Sequence, residues 1–246
     1  MAHEIPIRRC LLFFPGSRPE RYTSALHSGV DLVCMDLEDA VAPDAKTEAR
    51  DAALSLISSE AWDRRRSVIR INHPSTAAGS EDVDALCGLE SGRDEVPLQV
   101  MLPKVESTDD VEVVKVRLEV EGISAVLVPV IETARGLANV EEIACCDAVA
   151  WMQFGGVDMS ASLGAAMEWE PLLYARSRIV HAGALAGVDV MDVPFLDLTD
   201  SSGLETEAER VRKMGFKGKA AFHPDQVRVI QKVFSPTDAE VDGARR

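Results

Sequence analysis

Apolar side chains gather in short runs of strand length at Cys10–Phe14, Leu32–Leu37, Val68–Ile71, Gln99–Leu102, Ala125–Ile131, Ala148–Phe154, Val188–Val193 and Lys219–Phe222. Runs of this length, rich in β-branched and aromatic residues and bounded by turn formers, predict eight β-strands. Helix-sized segments separate them. Ser17-Arg18-Pro19-Glu20 carries a cap, a proline and a glutamate in capping-box order, which predicts a helix start at Ser17 and a stop at Gly29. Asp44 opens a second, alanine-rich helix to about Ser58, and Ser107 to Glu121 forms a third that Gly122 ends. Ala125-Val126-Leu127-Val128 reads as a continuous apolar run, as expected of a parallel strand covered on both faces. Eight β-units, each followed by a helix, predict an α/β protein with a (β/α)8 TIM barrel over residues 1–246 as a single domain. A doubly wound open sheet is the alternative fold. The polar tail from Pro236 to Arg246 is expected to fray.

Composition narrows the function classes. The 246 residues are 46% apolar and 27% charged, which excludes a disordered chain. A net charge of −15 disfavours nucleic acid and anionic bilayers as partners, so a phosphate-bearing ligand needs a local basic pocket. The five cysteines, Cys10, Cys34, Cys87, Cys145 and Cys146, form no CxxC pair and read as reduced core residues of a cytoplasmic protein. Met1 to Arg9 has no apolar signal segment, and no later run approaches the roughly 18 residues of a membrane span.

In a barrel of this kind the active site forms at the C-terminal strand ends. There the sequence places Asp36, Glu38 and Asp39, then Arg70 and Asn72, Lys104 and Glu106, Glu132, Asp158, Asp192 and His223. Glu132 and Asp158 each follow an apolar strand directly and make a hard-cation site, suited to Mg²⁺ with Mn²⁺ as substitute; the His or Cys clusters that zinc wants are missing. Gly155 and Gly156 beside Asp158 allow close backbone approach and offer N–H donors to a substrate carboxylate. Arg70, a charge inside an apolar strand, requires a partner; a fixed guanidinium beside a divalent ion suits a carboxylate or enolate oxygen, as carbon–carbon cleavage next to a carbonyl demands. Glu38 and Asp39 are placed to orient metal-bound water or Arg70. Each acidic residue alone has a competing reading as a helix cap or ion-pair partner, and the conjunction of Arg70, Glu132 and Asp158 favours a site. His223 reads as a strand-end residue before the proline of the next helix, Lys104 as a partner of Glu106 or a rim carboxylate rather than a Schiff-base lysine, and Trp62, Trp151 and Trp169 as packing. Walker A, GxGxxG, HExxH and GxSxG motifs are absent from the sequence.

Seven ordered segments carry a family resemblance: Leu11-Leu12-Phe13-Phe14-Pro15-Gly16; Met35-Asp36-Leu37-Glu38-Asp39-Ala40-Val41-Ala42-Pro43 with Lys46 and Ala49-Arg50; Val68-Ile69-Arg70-Ile71-Asn72; Leu102-Pro103-Lys104-Val105-Glu106; Ile131-Glu132-Thr133; Phe154-Gly155-Gly156-Val157-Asp158; and Phe222-His223-Pro224-Asp225-Gln226. The chain resembles the citrate lyase β-subunit-like proteins of the HpcH/HpaI aldolase superfamily, which include malyl-CoA and citramalyl-CoA lyases. The resemblance implies a (β/α)8 barrel, a homotrimer or hexamer, Mg²⁺ on Glu132 and Asp158, and Arg70 as the arginine that binds substrate and stabilises the enolate. The implied reaction is reversible cleavage of a 3-hydroxy-3-carboxyacyl thioester to an acyl thioester and a 2-oxo acid. Arg18 and Arg21 are the candidates for a basic mouth that would take the phosphates of coenzyme A. Many CoA lyases continue into a C-terminal lid, which is expected here to be short or absent, so that water exclusion must be arranged otherwise. Two alternatives stand beside the thioester lyase: a class II pyruvate-type aldolase acting on free 4-hydroxy-2-oxo acids, and a non-autonomous subunit that works with an acyl carrier protein.

Overall fold

The computed structural model describes residues 7–90 and 96–245. Its strands are β1 (Cys10–Pro15), β2 (Leu32–Asp36), β3 (Ser67–Arg70), β4 (Leu98–Leu102), β5 (Ala125–Ile131), β6 (Trp151–Phe154), β7 (Asp189–Asp192) and β8 (Gly218–Ala221). They pair in sequence order, all parallel, and β8 closes on β1 through Cys10↔Lys219 and Leu12↔Ala221, which makes a barrel and rules out the open sheet. The helices are α1 (Arg21–His27), α2 (Lys46–Ile57), α3 (Ala77–Cys87), α4 (Thr108–Val120), α5 (Ala134–Ala138), α6 (Val140–Ala144), α7 (Gly156–Leu163), α8 (Trp169–Ala186), α9 (Ser201–Met214), α10 (Pro224–Phe234) and α11 (Asp238–Ala244). Among the described residues no helix is long and apolar enough to cross a membrane.

Alternation along the strands builds two apolar layers. Leu11, Leu32, Cys34, Val68, Met101, Val128, Val130, Trp151, Met191 and Ala220 fill the barrel interior. The residues between them, such as Val33, Met35, Ile69, Val100, Leu127, Met152 and Val190, pack outward against the helices. Each fully buried Val, Leu or Ile contributes roughly 1.5–3 kcal/mol, so the two layers together dominate the stability of the fold.

Several local expectations are corrected. Helix α1 begins at Arg21 with no side-chain cap, and Ser17 does not start it. Gly16 donates its N–H to the Asp36 carbonyl at 2.7 Å, and the turns Arg18 N–Pro15 O and Arg21 N–Arg18 O occupy the residues that the capping-box pattern assigned to the helix. The cross-strand tether outweighs the local signal. Asp44 lies in a single 3-10 turn, Pro43–Ala45, ahead of α2. The tail does not fray throughout: Thr237 and Glu240 form a capping box that starts α11, and Arg212 pairs with Glu240 at 2.7 Å. Of the five free cysteines only Cys10 and Cys34 are buried; Cys145 is exposed, because the chain turns at the C-cap of α6. The helix read from Ser107 forms as α4, where Ser107 and Asp110 make a capping box, and His223 stands at the end of β8 as the N-cap of α10, ahead of Pro224.

Candidate active site

A pocket of about 350 Å³ opens at the C-terminal strand ends, lined by Asp36, Asp39, Arg70, Glu132, Gln153 and Asp158 and by Phe13, Met101, Val130 and Phe222. Arg70 anchors it. Its Nε and Nη2 donate to the two carboxylate oxygens of Asp36 at 2.7 Å each, and its Nη1 lies 3.0 Å from Glu38 Oε2. The guanidinium lies over the Phe13 ring, 5.1 Å from the centroid. Burial works against the charge of Arg70, but the hydrogen bonds and charges of Asp36 and then Glu38 outweigh it and hold the arginine more firmly protonated than in water.

The turn after β2 is built to present Glu38. Asp36 accepts the N–H groups of Glu38 at 2.8 Å and Ala40 at 3.0 Å, so one carboxylate fixes both the arginine and the turn. Lys46 Nζ donates to the Leu37 and Glu38 carbonyls at 2.7 and 2.5 Å. Behind them Asn72 donates to Leu37 O and to Asp82, and Asp82 receives Arg50 Nε at 2.7 Å. Lys46, Arg50 and Asn72 thus serve as supports of the site, away from its walls.

Lys104 has φ +50°, rare for a residue with a side chain. This turn lets its N–H donate to Glu132 Oε1 at 2.8 Å while its Nζ meets Glu38 Oε1 at 2.5 Å and stands 3.7 Å from Asp158. Its ammonium resists deprotonation: the bond to Glu38 and the charges of Glu38 and Glu132 outweigh the burial that lowers its pKa. The lysine therefore pairs with a rim carboxylate, while Glu106 faces Arg135 at 3.5 Å. Glu132 is only 2% exposed. Burial, then the negative charges of Glu38 and Asp158, push its carboxyl from 4.5 up to about 8, against the pull of Lys104.

That donor set suits a hard divalent cation. Two carboxylates from adjacent strand ends converge, and the repulsion that raises Glu132 is what a cation would relieve. No group of three His, Cys, Asp or Glu able to hold a metal occurs among the described residues, so further oxygens would come from water and substrate.

The structure brings Arg70, Glu38, Asp39, Glu132, Gly155 and Asp158 together at one pocket. Gly155 works differently from expectation: its N–H is taken by Ile131 O at 3.2 Å, and its value is space, since a β-carbon there would collide with the Glu132 carboxylate. Gly156 lies at the start of α7 against Phe154, Met167 and Val193, behind the pocket wall. Arg18 stands exposed on the loop after β1 beside Glu20 at 3.7 Å, away from the pocket walls. Asp192 is corrected: it points outward, fully buried, between Arg176 Nε at 3.0 Å and Lys219 Nζ at 2.7 Å. Trp62 stacks on Tyr22, Trp151 donates to Gln99, and Trp169 lies between Arg176 and Arg210, all structural roles. Lining residues that the sequence did not single out include Phe13, Phe222 and Gln153. The signal for Gln153 was present as a polar residue two places after inward-facing Trp151.

A closed parallel barrel with an arginine-anchored acidic pocket at its C-terminal rim defines a (β/α)8 enzyme. The chain belongs to the HpcH/HpaI aldolase/citrate lyase family, whose model matches residues 9–224, as the seven ordered segments implied. It is 35% identical over 267 aligned positions to the L-malyl-CoA/β-methylmalyl-CoA lyase of Rhodobacter capsulatus, covering 97% of this chain and 82% of that protein. It is 32% identical over 248 positions to the (3S)-malyl-CoA thioesterase of Cereibacter sphaeroides, covering 100% of this chain and 84% of that protein. Among solved structures it superposes on the protein CitE of Mycobacterium tuberculosis in complex with magnesium, acetoacetate and coenzyme A, with a TM-score of 0.83, 32% identity, and coverage of 99% of this chain and 86% of that one.

Proposed function

We propose that this protein is a carbon–carbon lyase that cleaves, or in reverse forms, a malyl-CoA- or citramalyl-CoA-type thioester, giving an acyl thioester and a 2-oxo acid. The observation that carries the reading is Arg70, held two-pronged by Asp36 on the same pocket as Glu132 and Asp158. Mg²⁺ held by Glu132 and Asp158, with Mn²⁺ as substitute, would supply Lewis-acid polarisation of the oxo-acid oxygens; the lyase activity of the Rhodobacter relative and the magnesium in the CitE complex support this. In cleavage the 3-hydroxyl gives its proton to water as its oxygen becomes the carbonyl of the 2-oxo acid, the C2–C3 electron pair passes to the thioester as an enolate whose oxygen Arg70 holds, and a proton from water returns to C2 to give the acyl thioester. Glu38 keeps Arg70 and Lys104 in place, and Asp39, which lines the same pocket, would orient metal-bound water. Gly155 keeps room for Glu132. We assign the protein to the cytoplasm on its five free cysteines, and a homotrimer or hexamer as its assembly on its family membership.

One observation favours a second reading, thioester hydrolysis. The thioesterase aligns over 248 positions with all of this chain, whereas the malyl-CoA lyase needs 267 positions for 97% of it and so carries internal segments that this chain lacks. Mass spectrometry of malyl-CoA and citramalyl-CoA incubations, with Mg²⁺ and with EDTA, separates the two. Acetyl-CoA with glyoxylate or pyruvate, abolished by EDTA and by Glu132→Ala, is the expected result. Free CoA with malate or citramalate would establish the hydrolase instead. Release of neither would redirect attention to free 4-hydroxy-2-oxo acids and to acyl carrier protein thioesters.

A further inference from the structure

Gln153 has no task in the proposed chemistry, yet it lines the pocket. It stands opposite Val130 in the ladder, one alternation below Gly155, and is 3% exposed. Met101, Val130, Phe13 and Phe222 line the same pocket. Its Nε2 donates to the carbonyl oxygens of Phe154 at 3.1 Å and Asp192 at 3.0 Å. Those two acceptors fix which way the amide points, because an amide oxygen in that place would face two carbonyls. Its Oε1 is buried and accepts no hydrogen bond from any described residue. The cations of the rim do not serve it: Arg70 is directed to Asp36 and Glu38, and Lys104 to Glu38.

An oriented, buried acceptor in a pocket with many apolar walls selects ligands by what they can donate. Carboxylates, ketones and thioester carbonyls carry only lone pairs and are disfavoured beside it. An alcohol has a proton to give. We infer that Gln153 is a specificity-determining residue whose Oε1 accepts the hydrogen bond of a substrate hydroxyl, so that the pocket prefers a hydroxy acid to the same acid without its hydroxyl. The identity of that hydroxyl, the 3-hydroxyl of the 3-hydroxy-3-carboxyacyl group, rests on the lyase reading. The 2-oxo acid product has no such proton and makes no such bond, so the contact also favours the hydroxyacyl state over the products.

The test is calorimetric binding of L-malate, succinate and 2-methoxysuccinate to the full chain at one fixed Mg²⁺ concentration. These free acids carry the hydroxy-acid fragment without a thioester. Malate is expected to bind about tenfold more tightly than succinate, the usual worth of one buried hydrogen bond. Methoxysuccinate, which keeps the oxygen but lacks the proton, is expected to do no better than succinate. In Gln153→Met the malate-to-succinate ratio is expected to fall to about one. A purely structural role through Asp192 O and Phe154 O would weaken all three acids alike and leave that ratio unchanged. A ratio that survives the substitution, methoxysuccinate bound as tightly as malate, equal binding of malate and succinate by the unsubstituted protein, or no binding of malate would each overturn the inference. If Gln153→Met does not fold, the comparison of three acids on the unsubstituted protein still decides. Turnover plays no part in these measurements: if malyl-CoA is not cleaved while the hydroxyl preference stands, the lyase reading fails and the hydroxyl contact remains.

Discussion

An arginine inside a β-strand is tolerated only where its charge is met, and Arg70 is met on three sides. Asp36 takes two of its donors, Glu38 lies against a third, and Phe13 lies beneath the guanidinium plane. A lysine cannot reproduce that fork. Arg70→Lys is therefore expected to lower kcat/KM for the thioester by about 10²–10³-fold, the usual worth of a directed donor to a developing oxyanion, with a smaller change in KM; steady-state kinetics beside a melting curve checks it. Arg70, Glu132 and Asp158 were legible as a constellation because charges at the ends of apolar runs have few structural explanations. Which carboxylate would hold the arginine was not, since Asp36, Glu38 and Asp39 crowd one turn and only the register Asp36↔Arg70 chooses among them.

Elements rather than residues set the position of that turn. Arg50 on α2, Asp82 on α3 and Asn72 after β3 join two helices to the Leu37 carbonyl through buried hydrogen bonds. Asp82→Ala leaves Arg50 and Asn72 without this partner, and removing one member of a buried charge pair costs about 3–5 kcal/mol. A lowered midpoint in urea, together with reduced lyase rate from a displaced Glu38, is the expected outcome. On the other side of the barrel Arg176, Asp192, Lys219 and Glu207 form a comparable buried cluster between the strands and α8 and α9. The misplacement of Asp192 on the rim has its cause at this scale. A strand covered on both faces shows no polar face, so periodicity does not say whether a charged residue points into the barrel or towards the helices. The start of α1 went astray for a related reason: a good capping sequence yielded to the hydrogen bond between Gly16 and the neighbouring strand.

For the molecule as a whole, the acidic pocket links pH, metal and stability. Glu132 in the folded chain holds its proton up to about pH 8 in place of the ordinary 4.5. Between those values the folded state binds more protons than the unfolded state, so raising the pH favours unfolding. The metal-free protein is expected to lose thermal stability from about pH 5 to 8, and Glu132→Gln to remove part of that slope. A divalent cation competes with the same proton, so Mg²⁺ affinity should rise with pH towards 8, and Mg²⁺ should restore the melting temperature that EDTA lowers. Thermal melts across this pH range, with Mg²⁺ and with EDTA, read all three effects.

Strand count, strand order in the chain, the barrel and the acidic rim could all be read from the sequence alone, because burial on two faces and turn chemistry leave marks in consecutive residues. Tertiary structure alone decided which rim residues share a pocket, the pairing of Lys104 with Glu38, the outward turn of Asp192 and the burial of Gln153 Oε1 without a donor. Those facts depend on contacts between residues far apart in the chain. Inward or outward facing and register across strands are set by barrel closure, and no local pattern encodes them.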